Sequence, residues 1–459
     1  MTHLLNPDHA IEIKPDMGPQ ASRLHHSTTG LRCVRLNKNR SNAESGFKRM
    51  LFVVIAVGLV GLGASGCAVN PVTGRSELQI VRISEEEEIA LGAKAFLPAV
   101  QEWGGFYKDP LLEAYVQEVG MRLGRVSHRP NLKYQFRVVN SSVPNAFALP
   151  GGFIVINRGL LVALDSEGEM AAVLGHEIVH VTARHSLAGY QRALAGNLLL
   201  SGVSVIAGDG IIGLGAQALS NVTASLIQNG FSREQEREAD SIGMEYMVRG
   251  GYSAQGMVSL QEFFYKKLEG DQNSTWITGL FRTHPFSVDR FNDTRNLLAQ
   301  QYQHTVNNPN YVINREIFLQ KTAELRRVQK AYDVADQGDK LFGEKKYKEA
   351  LAKYQEAVTM EPRQAPFHSA IGKTQIMLGN HAAAQEHLVK AIELDGELFE
   401  ARLYLGALYY SQKNYRAAIP ELEKSMSLIP TKNAATMLSK SYEAIGDAAN
   451  AKKYADMLK

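Results

Sequence analysis

The sequence predicts an α+β fold that is mostly helical, with a short β-sheet in its first domain and an all-α solenoid after it. Three observations lead to this prediction. Residues 166–300 have mainly helical periodicity, and residues 331–459 repeat every 34 residues. One run of β-branched and aromatic residues, Phe153–Ile156, follows a Pro-Gly-Gly turn signal and predicts a strand.

The composition indicates a folded protein without a nucleic-acid surface. Hydrophobic residues make up 45% of the 459 residues and charged residues 21%, which is enough apolar material to bury a core. Residues 67–459 carry 42 basic and 43 acidic side chains, a balance that excludes a basic footprint for nucleic acid. The two cysteines, Cys33 and Cys67, both lie near the N-terminus, so histidines and carboxylates must hold any metal.

Residues 1–66 are predicted to be an N-terminal extension and a secretory signal segment. The basic pair Lys48-Arg49 precedes a short apolar run at 50–62, and small residues then lead to Cys67. This stretch resembles the cleavage box of bacterial lipoproteins, which implies a lipid on Cys67. With alanine at position 68, the resemblance implies a periplasmic protein anchored to the outer membrane. An uncleaved anchor and an ordinary signal with a chance cysteine are the alternatives.

Residues 194–218 form a second apolar stretch. Six glycines and Asp209 interrupt it. We therefore expect a helical hairpin that is buried or leans on the membrane, and a membrane-spanning helix is the alternative.

The residues His176-Glu177-Ile178-Val179-His180 form an H-E-x-x-H motif. The i, i+4 spacing turns about 400°, so both imidazoles lie on one helix face, about 40° apart. One Zn²⁺ can bind both nitrogens, with Glu177 beside the open coordination position. The alternative is a helix with a buried, hydrogen-bonded histidine pair.

Two capping boxes mark where the helices of this region begin. Ser166 with Glu169 predicts the start of the H-E-x-x-H helix, and Ser232 with Gln235 predicts the start of a later helix. Apolar residues spaced by three and four predict a core stripe on the first helix, on the face away from the two histidines. They are Met170, Leu174, Ile178 and Val181.

Helical phase separates the glutamates of the later helix. Glu234 and Glu238 lie on one polar stripe, whereas Glu236 shares its stripe with small and apolar residues and therefore faces inward. A carboxylate that faces the interior needs a partner or a metal, so Glu236 is the predicted third ligand. Asp240, one turn later, is predicted to hold a ligand's second nitrogen. The alternative for Asp240 is a surface salt bridge to Arg237 or Arg233.

Three of these features together resemble peptidase family M48, a family of zinc metallopeptidases. They are the run Asn145–Phe153 (NAFALPGGF), the H-E-x-x-H helix and residues 236–240 (EREAD). Residues 70–74 (NPVTG) are similar to the bacterial lipoprotein branch of the family. The resemblance implies a zincin-type metallopeptidase domain over residues 67–300, with one Zn²⁺ per chain bound by His176, His180 and Glu236.

Two further histidines receive different predictions. Thr283-His284-Pro285 matches a family feature in which the histidine approaches the metal, so the resemblance implies a regulatory or transition-state role for His284. A loop histidine ordered by the following proline is the alternative. His185, one turn past the ligands, is predicted to be structural.

The predicted reaction is hydrolysis of internal peptide bonds. Three protein ligands leave one position for water, whose pKa zinc lowers to about 7. Glu177 is predicted to accept the proton of this water and to deliver it to the leaving amine. An edge strand is predicted to bind an extended substrate through main-chain hydrogen bonds, which suits unfolded or misassembled proteins. Its residues are Phe153, Ile154, Val155 and Ile156.

The repeat of residues 331–459 is typical of tetratricopeptide repeats. Gly338, Gly372 and Gly406 are 34 residues apart, and alanines at 350, 384 and 418 keep the same period. Small residues at a fixed phase allow stacked helices to approach closely. A degenerate fourth unit at about 433–459 is predicted to cap the solenoid, and residues 301–330 to form a linker and lead helix.

Two functions remain as alternatives to an endopeptidase. In the first, the chain is a chaperone or scaffold for outer-membrane protein assembly, and its metal site is gated or silent. The intact Glu177 argues against a silent site. In the second, the enzyme is an exopeptidase. The repeats are predicted either to select client proteins or to dock on outer-membrane assembly machinery.

Overall fold

The computed structural model describes residues 67–78, 82–189, 191, 230–270 and 279–458. The predicted signal segment 1–66 and the apolar stretch 194–218 lie outside these residues. None of the helices within the described ranges is long and apolar enough to cross a membrane.

The first part of the chain contains five short strands and nine named helices in the described ranges. In chain order they are β1 (Cys67–Val69), β2 (Ser76–Leu78), α1 (Glu85–Glu102), α2 (Pro110–Gly124), β3 (Gln135–Val139), β4 (Ala146–Leu149), β5 (Phe153–Asn157), α3 (Arg158–Ala163), α4 (Glu167–Thr182), α5 (Arg233–Arg249), α6 (Gln255–Gly270), α7 (Leu280–Thr283), α8 (Val288–Leu297) and α9 (Arg315–Lys321). A π-helical turn and a 3₁₀ turn follow α8, at Leu298–Tyr302 and Gln303–Thr305.

The main sheet has three strands in the order β3-β5-β4. Strand β5 pairs in parallel with β3 and antiparallel with β4, so Phe153 lies opposite both Gln135 and Leu149. The prediction that Phe153–Ile156 form an edge strand is therefore wrong. Every residue of β5 is buried, and an unbroken apolar run of this kind is typical of a strand whose two faces are both covered.

Helix α4, which contains the H-E-x-x-H motif, is buried on all its faces. Its predicted core stripe is buried, and so are the residues between the stripe positions. The Ser166 side chain accepts a hydrogen bond from the Glu169 N–H, as in a capping box. The Glu169 carboxylate, however, accepts from the Asp165 N–H, so only one half of the predicted box forms. Helix α5 has both halves, between Ser232 and Gln235.

Helices α4 and α5 cross where two glycines face each other. A Cβ on Gly175 would lie 3.2 Å from the Gly243 carbonyl oxygen, and a Cβ on Gly243 would lie 3.1 Å from the His176 nitrogen. The two backbones are therefore almost in contact. This close approach brings the inward face of α5, including Glu236, to the histidine face of α4.

The C-terminal part consists of four antiparallel helix pairs. The helices are α10 (Ala323–Gly343), α11 (Tyr347–Met360), α12 (Ala365–Met377), α13 (His381–Leu394), α14 (Phe399–Ser411), α15 (Tyr415–Leu428), α16 (Lys432–Ala444) and α17 (Ala448–Asp456). The last pair corresponds to the predicted cap. Helix α10 runs across the predicted boundary at residue 330, so the lead segment and the first repeat helix are one element.

The glycines of the repeat lie where the helices of each pair touch. A Cβ at Gly338, Gly372 or Gly406 would lie 2.5–2.7 Å from a side chain of the second helix of the same pair. The facing side chains are Tyr354, Leu388 and Leu422. The predicted fold class, mostly helical α+β with a short sheet and C-terminal tetratricopeptide-type repeats, is confirmed.

The first repeat helices pack directly against the first part of the chain. The Arg158 guanidinium lies 3.7 Å from the centre of the Tyr332 ring, and the Tyr332 hydroxyl accepts a hydrogen bond from Asn140 Nδ2. Further along, the Phe399 N–H donates to Gln101 Oε1. The buried core is continuous from the sheet into α10, α11 and α12.

We predict that Gly372→Ala destabilises the repeats, because the new Cβ would lie 2.5 Å from Leu388 Cγ. Overpacking of this kind lowers the free energy of unfolding by about 1–3 kcal/mol. Urea unfolding followed by circular dichroism measures the change. Gly343→Ala is the matched control, because no other described residue lies within 4 Å of its Cβ. Equal unfolding midpoints for the two variants would contradict the packing.

Candidate metal centre

Four buried side chains from α4, α5 and the turn after α7 meet at one point. Each offers one donor atom, and all four donor atoms lie within 4.8 Å of one another. The residues are His176, His180, Glu236 and His284. Helix α4 supplies two of them at i, i+4, α5 supplies the glutamate, and His284 directly follows α7, so three separate segments build the cluster.

The distances within the cluster fit a bound cation. The Nε2 atoms of His176 and His180 are 3.0 Å apart, and His284 Nδ1 lies 3.2 Å from His176 Nε2. Glu236 Oε1 lies 3.4 Å from His180 Nε2 and 3.1 Å from His284 Nδ1. Tetrahedral nitrogen ligands at zinc-type bond lengths are about 3.3 Å apart. The cluster is therefore a metal-binding arrangement.

The outer nitrogens of the two H-E-x-x-H histidines are held by different partners. His176 Nδ1 lies 2.9 Å from Asp240 Oδ1, so the carboxylate leaves the Nε2 lone pair to face the cluster. His180 Nδ1 lies 2.9 Å from His185 Nδ1, and His185 Nε2 lies 3.4 Å from Glu238. Asp240 is buried, so it does not form the surface salt bridge that was the alternative prediction.

An aromatic ring that the sequence did not indicate covers the site. The Phe231 ring stacks on the His180 imidazole with centroids 3.7 Å apart, and it lies 5.4 Å from the His284 ring. The Phe231 N–H donates to the Thr283 carbonyl oxygen, so the start of α5 is joined to the turn that carries His284. No sequence signal marks Phe231, because its position depends on how two distant segments meet.

Arg290 is a second residue that the sequence did not indicate. Its buried guanidinium, on α8, contacts Glu236 Oε2 at 2.6 Å and both oxygens of Asp240. Two carboxylates buried this close together imply a nearby cation. The sequence cannot say which of its many arginines supplies it.

Burial and charge set the protonation of the ligands in the absence of a metal. Burial opposes the charged form of His176, but Glu236 and Asp240 outweigh it and raise the pKa of His176 to about 10. Burial lowers the pKa of His180 well below its usual value. Burial also opposes ionisation of Glu236, but Arg290, His284 and His176 hold the pKa of this carboxyl well below its usual range.

Glu177 lies beside the cluster without being part of it. Its Oε1 is 3.4 Å from His284 Nε2, and its Oε2 has no hydrogen-bond partner within the described ranges. Burial raises the pKa of Glu177, although His284 and His176 act in the opposite direction. A carboxylate with a raised pKa is a better proton acceptor near neutral pH.

A small pocket of about 30 Å³ opens beside Glu177 and His284. Its walls come mainly from apolar side chains of α4, α6 and the segment around α7. The apolar residues are Val173, Met257, Leu260, Phe264, Leu280 and Phe286. Gln261 and Arg290 supply polar groups to the same pocket.

Two groups of predicted site residues lie apart from the cluster. Phe153–Ile156 are in the central strand of the sheet, and Cys67 begins β1 at the N-terminal end of the described residues. The structure brings together Glu177, Asp240 and the four donors. Their individual roles stay predictions.

Residues 110–298 match the sequence pattern of Peptidase family M48. Over 206 residues the chain is 34% identical to the beta-barrel assembly-enhancing protease of Escherichia coli (strain K12), covering 42% of this chain and 40% of that protein. The protein of the same name from Yersinia pestis is 27% identical over 369 residues, which is 74% of each chain. The match thus spans less than half the length of the Escherichia coli relative.

Part of the chain is similar to a solved structure, the crystal structure of YrrB, described as a TPR protein with an unusual peptide-binding site. The identity is 18%, with 43% of this chain and 91% of that chain covered. The TM-score is 0.26, so the assignment of the repeats rests on the helix pairs described above.

We predict that metal binding releases about one proton per ion at pH 7. A pKa of about 10 keeps His176 protonated at pH 7 in the metal-free chain, whereas the lowered pKa values of His180 and Glu236 leave these two groups unprotonated, so of the three ligands only His176 must lose a proton to bind. Apparent affinity should then fall about tenfold per pH unit as pH decreases. Calorimetric titration of Zn²⁺ in two buffers of different ionisation enthalpy counts the protons. If no proton is released, His176 is already neutral in the metal-free chain.

Proposed function

We propose, from the membership of residues 110–298 in peptidase family M48, that this chain is a zinc-dependent endopeptidase of the cell envelope. Its substrates are misfolded or misassembled proteins, and its role is quality control of outer-membrane proteins. The observation that carries the proposal is the buried group of four convergent donors with the Glu177 carboxylate beside it.

The donor set favours zinc as the metal. Imidazole nitrogens with one carboxylate suit Zn²⁺, whereas Mg²⁺ and Ca²⁺ prefer oxygen ligands. Charge supports a divalent ion. When the histidines are neutral, as metal binding requires, the buried carboxylates of Glu177, Glu236 and Asp240 carry three negative charges against the one positive charge of the buried Arg290 guanidinium. An ion of charge +2 would offset the two negative charges that Arg290 leaves uncompensated.

The residues of the chain have distinct roles in this proposal. His176, His180 and Glu236 hold the metal, which when bound polarises a peptide carbonyl and lowers the pKa of water. Glu177 accepts a proton from the attacking water and passes it to the departing amine. Among the described residues Oε2 of Glu177 has no hydrogen-bond partner, which leaves it free for this exchange, and burial raises the pKa of the carboxyl in the direction that a base requires.

We assign substrate alignment to β4 instead of the Phe153–Ile156 strand. Strand β4 (Ala146–Leu149) is at one side of the sheet and packs against α4, the helix with the H-E-x-x-H motif. An extended chain added beside β4 would be read through its backbone, with little dependence on side chains. Such recognition fits proteins that expose unfolded segments.

The repeats and the N-terminus supply the remaining parts of the proposal. The name of the Escherichia coli relative describes a protease that enhances β-barrel assembly. By analogy, the repeats of this chain select client proteins or dock on the outer-membrane assembly machinery. A lipid on Cys67 would hold the chain at the periplasmic face of the outer membrane. The scaffold alternative uses the same repeats but needs no proton acceptor at position 177.

We predict that Glu177→Gln keeps bound zinc but loses casein digestion by about 100-fold or more, because the amide cannot accept the proton. Zinc content and fluorescent-casein digestion are measured on the same preparation. Glu234→Gln, on the exposed side of α5, is the matched control and should behave as wild type. Digestion by Glu177→Gln at the wild-type rate would show that Glu177 is not the proton acceptor.

We also predict that His284→Ala digests casein faster than wild type. His284 Nδ1 lies within hydrogen-bond distance of both His176 Nε2 and Glu236 Oε1, so it competes for the position that a catalytic site keeps open. His381→Ala, at an exposed position of the repeats, is the control. Slower digestion by His284→Ala would instead indicate that His284 stabilises the transition state.

A further inference from the structure

The side chain of Arg290 connects three segments of the metal centre. Its Nε and Nη2 contact Asp240 at 2.7 and 2.8 Å, and its Nη1 contacts Glu236 Oε2 at 2.6 Å. Nη1 also donates to the Pro285 carbonyl oxygen at 2.9 Å, one residue after His284. One guanidinium therefore joins α8, the inward face of α5 and the turn that carries His284.

Without a counter-charge, the inward face of α5 would be unstable. Glu236 and Asp240 lie one turn apart and are 0% and 3% exposed. Two carboxylates this close and this buried repel each other and lose their hydration, which costs several kcal/mol each unless a cation pairs with them. Among the described residues, Arg290 is the permanently charged cation that contacts both.

The contacts of Arg290 extend indirectly to the histidines. Asp240 uses Oδ1 both for Arg290 and for His176 Nδ1, at 2.8 and 2.9 Å. An oriented carboxylate holds the proton on Nδ1, so Nε2 is the nitrogen of His176 that gives up its proton and presents its lone pair to a metal. The hydrogen bond from Arg290 to the Pro285 carbonyl oxygen fixes the turn that carries His284. Three of the four donor side chains thus depend on the position of one guanidinium.

We propose that Arg290 is a positioning residue that assembles the ligand set of the metal centre before any metal binds. This inference rests on the proposed metal site, but it concerns a residue that is not one of the four donors. A planar fork that spans two carboxylates is needed for this role, and a lysine ammonium cannot reproduce it.

A second arginine separates positioning from simple helix docking. Arg237 also joins α5 to α8, through Asp293 at 3.0 Å and Asp289 at 3.8 Å, but this pair lies at the surface. If Arg290 only held the two helices together, the loss of either arginine would act on the metal site in a similar way. Arg237→Met is therefore the matched control for Arg290→Met.

The test measures metal affinity without any substrate. Purified metal-free full-length variants are titrated with Zn²⁺ in competition with a chromophoric chelator. They are then titrated with Co²⁺, whose visible absorption bands report ligand geometry. We expect Arg290→Met to bind Zn²⁺ about 10–100-fold more weakly and to show altered Co²⁺ bands. Arg290→Lys should recover part of the affinity, and Arg237→Met should match wild type.

The outcomes distinguish this inference from the proposed function. If wild-type protein binds no metal, the proposed function is wrong, and the inference that rests on it is wrong as well. If wild type binds and Arg290→Met binds with the same affinity and the same Co²⁺ spectrum, the inference alone is overturned. If Arg290→Met does not fold, Arg290→Lys decides: wild-type affinity and spectrum in that variant would also overturn it.

Discussion

The buried negative charge at the crossing of α4 and α5 is the constraint on which the rest of the site depends. Glu236 has no exposed surface, and its neighbours are imidazoles and a guanidinium. A carboxylate placed there without compensation would cost several kcal/mol. The surrounding histidines, Arg290 and a divalent ion compensate this negative charge. The groups that balance the charge are therefore the same groups that form the metal site.

The fold provides these compensating groups by bringing distant segments of the chain to one point. The glycine contact between Gly175 and Gly243 sets the separation of the two helices, and the bond from Phe231 to Thr283 closes the site from the third side. The sheet lies behind α4, with β4 nearest to it. The first repeat helix packs on the residues that follow β5, so the repeats and the metal centre share one core.

Local periodicity explains what could be predicted from the sequence. The spacing of His176 and His180 and the inward phase of Glu236 are properties of a single helix, and the 34-residue period is a property of one helix pair. Tertiary contacts explain the rest. That Phe153–Ile156 have a strand on each side, and that Arg290 reaches Glu236, depends on which segments meet across long stretches of chain. No local pattern contains that information.

The central claim is that His176, His180 and Glu236 hold one transition-metal ion. Anomalous X-ray diffraction at the zinc absorption edge, from crystals of the zinc-loaded chain, tests it most directly. The account predicts one strong peak per chain, between the Nε2 atoms of His176 and His180 and the carboxylate of Glu236. The absence of a peak there, or a peak only at another histidine pair such as His368 and His387, would contradict it.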